Sequence, residues 1–113
     1  MTIRYKNQGI NLTTTDTTSV FTVPNDATVL IKQIQINNGA STSVNLSVQV
    51  FDTSAGTNFR IYNKPLDASS TNDIINHTLV LEASDILKMT AGTANEIQGI
   101  ISYALLDRSQ ENG

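Results

Sequence analysis

The residues that could carry chemistry are few and scattered. His77 is the sole imidazole of this 113-residue chain, and cysteine is absent. A histidine works as a general base only with a nucleophile and an orienting partner in reach, and no such set surrounds His77 in the sequence. Serine and threonine are plentiful, yet neither a Gly-x-Ser-x-Gly elbow nor a glycine-rich phosphate loop occurs. Asp67, Asp73, Glu82 and Asp85 could converge as oxygen ligands for calcium, but they lack the alternating acids of a calcium loop, which favours solvated loop acids. A carboxylate pair for glycoside hydrolysis would need a groove to hold the sugar, and aromatic walls are scarce with no Trp, three Tyr and three Phe. The expectation is a protein without catalytic residues, cofactor or metal.

The elements that would have to position such residues are strands. Val44, Leu46, Val48 and Val50 alternate with Asn45, Ser47 and Gln49, the period of a half-buried strand. Residues 20–23 form a short strand stopped by Pro24-Asn25-Asp26. Residues 28–37 read as a strand with Leu30, Ile34 and Ile36 on one face and Val29 and Ile31 on the other. Three more strands follow at 78–81, 86–90 and 97–106, and the last is apolar on both faces, as expected of a central strand. The 37–42 link suggests a hairpin with a loop longer than two residues, and 65–73 a crossing loop. Turn signals between short strands predict an all-β fold, a two-sheet sandwich that is jelly-roll-like. The organisation expected is an N-terminal arm with the first short strands at 1–19, a β-sandwich domain at 20–107 and a polar tail at 108–113.

Composition narrows the partners. A net charge of −3 and seven scattered Lys and Arg argue against nucleic acid, which needs a basic face. No apolar run approaches the ~18 residues of a membrane-spanning helix, and the first residues lack the apolar core of a secretory signal. Lack of cysteine fits folding in a reducing cytoplasm. Three sequons, at Asn11, Asn45 and Asn76, are expected by chance in a chain this rich in Asn, Ser and Thr. Only 15% of residues are charged. A surface of short polar side chains can be fixed against another surface at low rotamer cost, which suits a protein packed in an assembly; it is equally the coat of an ordinary sheet.

Two stretches carry a family resemblance. The first opens with Thr22-Val23-Pro24, a turn, a strand and Asn37-Asn38; the second runs Leu81-x-x-x-Asp85-x-Leu87-x-x-x-Ala91 before the closing strand. From Val20 onward the chain resembles the small β-structured virion proteins of tailed bacteriophages, particularly those of cyanophages and other marine phages. The resemblance implies a structural role in the virion, as a capsid decoration or cement protein that bridges shell subunits, or as a neck, tail or fibre component. It supplies no catalytic residue. A carbohydrate-binding receptor module is the alternative, with Tyr62 or Tyr103 facing the sugar. The expected partners are major capsid or other virion subunits and further copies of the chain in a trimer. Contacts are expected from Ile3, Arg4, Tyr5, Val29, Ile31, Ile100 and Leu106, with synthesis in the host cytoplasm.

Overall fold

The computed structural model describes residues 2–107, so the tail expected at 108–113 lies outside the described residues. The described residues form nine strands: β1 (Thr2–Leu12), β2 (Thr18–Thr22), β3 (Ala27–Asn38), β4 (Val44–Asp52), β5 (Thr57–Leu66), β6 (Ser70–Asp73), β7 (Leu79–Leu81), β8 (Ile86–Ala91) and β9 (Ile97–Asp107). No described residue is helical. One sheet has the order β1-β9-β3-β6, with β7 pairing an earlier part of β3, and the other has the order β2-β8-β4-β5. Because β6 pairs Gln35–Asn38 and β7 pairs Val29–Ile31, the two act as one interrupted strand along the edge of β3. The chain therefore changes sheet at nearly every step, and the two sheets have the strand order of a jelly roll.

Only β4 and β5 are joined as a hairpin within one sheet. Their turn places Gly56 at φ 66°, a left-handed conformation that costs glycine nothing. The Asp52 carboxylate folds over this turn and accepts from the Ser54 N–H, the Ser54 hydroxyl and the Ala55 N–H. Those bonds, the Ser54 hydroxyl first, hold its pKa below the ordinary carboxylate value. The 37–42 segment does not close a hairpin as expected, since β3 and β4 lie in different sheets. Likewise the polar stretch at 65–73 is not all loop: it contains the end of β5 and all of β6.

The core lies between the sheets. Val44, Leu46 and Val48 face it from β4, as the alternation predicts, opposite Ile97 and Ile101 of β9. In β3 the structure corrects the sequence. Ile31 pairs with Tyr103 and Gln33 with Ser102, leaving Lys32 as an unpaired bulge residue. One extra residue inverts the period of two. Val29 and Ile31 thereby join Ile34 and Ile36 on the inner face, all without exposed surface, while Leu30 turns outward beside Ala104 and Val80. Two apparent apolar faces are one face with a shift of phase.

β1 is the second departure. Within the segment expected as an arm with the first short strands, 1–19, β2 begins at Thr18 and residues 2–12 form a single strand, paired with β9 from Thr2↔Asp107 to Leu12↔Ile97. Only Ile10 and Leu12 of it are buried. The remainder forms an exposed sheet edge, and Arg4 adds a 3.3 Å ion pair to Asp107 of β9. At the boundary of the core, Tyr103 packs on Phe21 with ring centroids 4.7 Å apart.

Burial raises the pKa of Tyr103, and of Tyr62, above the usual phenol value. A raised folded-state pKa leaves stability intact below the unfolded value and removes it as pH climbs towards the folded one. The melting temperature is accordingly expected to fall as pH rises past about 9 towards and above about 10, and less steeply in Tyr103→Phe. Equal slopes in the two proteins would contradict the assignment to Tyr103.

Candidate binding surface

Directly paired residues of an antiparallel sheet point to the same face, so the register defines the outer face of the β1-β9-β3 sheet row by row. Ile3 pairs with Leu106, and Leu106 with Thr28. In the next row Tyr5, Ala104, Leu30 and Val80 stand side by side across four strands. Asn7, Ser102 and Gln33 follow, then Gly9, Ile100, Gln35 and Asp73, and finally Asn11, Gln98, Asn37 and Thr71. One end of this face is apolar and the other is built of amides and hydroxyls.

The apolar end is exposed. Tyr5 is 81% accessible, and Ile3 and Val80 are each 56% accessible. With Ile100, they are four of the six large hydrophobic residues exposed among the described residues; the other two, Phe59 and Ile61, belong to β5. Clustering on one face, rather than single exposed residues, distinguishes an interaction surface from ordinary surface composition.

The polar end is concave, a cavity of about 600 Å³ opening on the sheet face. Gly9 contributes no side chain beside Ile100, which opens the floor, and a Cβ added to Gly9 would meet nothing within 4 Å. Gly99 has the opposite environment: a Cβ there would overlap the Gln35 carbonyl and crowd Ile36 Cδ1. No residue lining the cavity is charged. Gln98 Nε2 donates to Asn11 Oδ1 at 3.4 Å, and Asn37 Nδ2 donates to Thr71 Oγ1 at 3.0 Å.

The residues expected to make contacts fall into two groups. Ile3, Arg4, Tyr5 and Ile100 are exposed and Leu106 is half-buried, and all but Arg4 share the outer face. Val29 and Ile31 are wholly buried and have nothing to offer a partner, because the Lys32 bulge turns them into the core. Leu30 and Val80 stand on the outer face instead. The local hydrophobic pattern could have flagged Val80, whose neighbours Leu79 and Leu81 occupy the opposite phase of β7, but not Leu30, whose orientation depends on the bulge.

The other candidates for chemistry separate. His77 is exposed between β6 and β7. Tyr103 stacks in the core and Tyr62 is half-buried against it, so neither faces the cavity. Asp73 Oδ1 accepts from the Ile34 and Ile75 N–H groups. Glu82 and Asp85 do approach one another, but with Asp52 in place of Asp67 and Asp73, their oxygens within 4.8 Å. Asp85 accepts from the Thr53 N–H through Oδ1 and the Glu82 N–H through Oδ2. Asp85 is thus held by backbone donors and Asp52 by its own turn, and the Thr53–Asp85 bond ties the β4–β5 turn to the loop before β8.

No family model matches the sequence, and no curated protein matches it. Solved structures do. A chain of the T13 IBDV viral particle superposes over 94% of this chain with a TM-score of 0.55 and 13% identity. A chain of infectious bursal disease virus, Gx strain, covers 97% with a TM-score of 0.48 and 13% identity. A pentameric capsid protein isolated from metagenomic phage sequences covers 91% with a TM-score of 0.39 and 12% identity. This chain spans 31%, 34% and 62% of those chains, respectively. At such identities the first likeness establishes the fold alone, a sandwich also found in a viral particle.

Proposed function

We propose that this chain is a non-enzymatic virion structural protein, a capsid decoration or cement protein of a tailed phage that binds neighbouring shell subunits through the outer face of its β1-β9-β3 sheet. The observation that carries the reading is the apolar cluster of exposed Ile3, Tyr5 and Val80 with half-buried Leu30 on a jelly-roll sheet. The fold shared with a chain of the IBDV viral particle supports it, as does the resemblance of the 20–107 segment to small β-structured phage virion proteins. The partners are major capsid subunits and further copies of the chain, associated as a trimer, since closed symmetric assembly buries surplus apolar surface. Binding to assembled subunits and not to free ones stabilises the assembly by mass action, without chemistry.

Ile3→Ser, Tyr5→Ser and Val80→Ser together remove the apolar cluster from positions where folding does not need it. The wild-type chain is expected to scatter light as a trimer at micromolar concentration, or to sediment with shells lacking it, and the triple variant to do neither while keeping its circular dichroism spectrum. A wild-type chain that stays monomeric and attaches to no particle component would sink the proposal.

A further inference from the structure

We infer that the amide-lined cavity is a binding site for a neutral, hydroxyl-rich chain, a short segment of uncharged polysaccharide. Its volume of about 600 Å³ lies within the range of ~300–1,000 Å³ usual for small-molecule sites. Five carboxamides, those of Asn11, Gln33, Gln35, Asn37 and Gln98, converge on it. A carboxamide presents donor and acceptor together, as does a sugar diol, so a row of amides can pair with successive hydroxyls. Ile100, 50% exposed between Gly9 and Gln35, gives an apolar floor for the C–H face of a pyranose ring.

Other ligand classes fit less well. A nucleic acid or charged glycan would need a cationic wall, and none of the lining residues carries a charge. An extended peptide adds to a sheet edge and anchors its side chains in apolar pockets. The middle of this cavity is β9, already paired on both sides, so no sheet edge is open there for a strand to join. The cavity borders the apolar cluster, since Ser102 and Gln33 of its lining occupy the row next to Ala104 and Leu30, but none of Ile3, Tyr5, Leu30 and Val80 lines it.

Gly9 makes the inference testable. Its Cβ position is open and its φ is not left-handed, so Gly9→Leu fills the cavity beside Ile100 without straining β1. Gln35→Ala removes one exposed amide from the wall. The full-length protein would be titrated, by calorimetry and by NMR shift changes, with short neutral oligosaccharides of glucose, xylose, mannose and N-acetylglucosamine. A uronic-acid oligomer serves as the charged control. At least one neutral ligand is expected to bind with a dissociation constant of about 1 mM or tighter. Gly9→Leu and Gln35→Ala should each weaken it about tenfold or more at unchanged melting temperature, and added salt should have little effect. The inference is overturned if no neutral oligosaccharide shifts a resonance at about 10 mM, if Gly9→Leu binds as the parent does, or if the charged control is preferred. It is equally overturned if Gly9→Leu alters self-association and not sugar binding, which would make the cavity a contact between copies.

Discussion

Replacing Asn38 with leucine is expected to remove about 3–5 kcal/mol of folding stability, because several backbone groups lose their partner in a dry site at about 1–3 kcal/mol each. Asn38 is the last residue of β3, has no exposed surface and points into the end of the core. Its Nδ2 lies 3.1 Å from the carbonyl oxygens of Thr42, Leu66 and Asp67, and its Oδ1 accepts the Ala40 N–H at 3.0 Å. One side chain thus ties the β3–β4 crossing to the end of β5. Leucine has the same branching and number of heavy atoms but supplies neither donor nor acceptor, and its bulkier methyl groups add an overpacking cost to the lost hydrogen bonds. Urea unfolding with circular dichroism reads the summed loss directly; a loss under about 1 kcal/mol would show that those carbonyls find other partners. Asn38→Asp retains the acceptor for Ala40 but sets a carboxylate against three carbonyls, and should recover stability on acidification as the carboxyl gains a proton.

A comparable loss is expected from the smallest possible change at Gly99. The added methyl of Gly99→Ala would overlap the Gln35 carbonyl and crowd Ile36 Cδ1. Neither strand can yield freely, since β9 is paired on both sides and β3 carries β6 and β7 on its far edge. Overpacking of this kind costs ~1–3 kcal/mol, and backbone overlap places Gly99→Ala at or above about 2 kcal/mol. Gly9→Ala is the internal control: it lies in the adjacent strand of the same sheet, its Cβ meets nothing, and alanine there should be neutral or slightly stabilising. If both variants unfold at the same urea concentration as the parent, the close approach of β9 to β3 is not as described.

The sequence alone determined the class of the protein. Alternation at Val44 to Val50 placed β4 with its inner face correct, and the apolar residues on both faces of the last strand marked β9 as central, as its pairing with β1 and β3 bears out. Local signals of this kind survive because side-chain period and turn chemistry need no knowledge of a partner strand. Three features were decided only by tertiary structure. β1 alternates only at Ile3 and Tyr5 over residues 2–9, because an edge strand beyond the reach of the opposite sheet buries neither face, and its ladder with β9 makes it a strand. The facing of Leu30 against Val29 and Ile31 depends on the Lys32 bulge, which exists in the register with β9 and leaves no mark on composition. The cavity gathers Asn11, Gln35 and Gln98 from three strands far apart in sequence. Each amide reads by itself as a solvated strand residue, and only the β1-β9-β3 order places them around Ile100 and the side-chain-free Gly9.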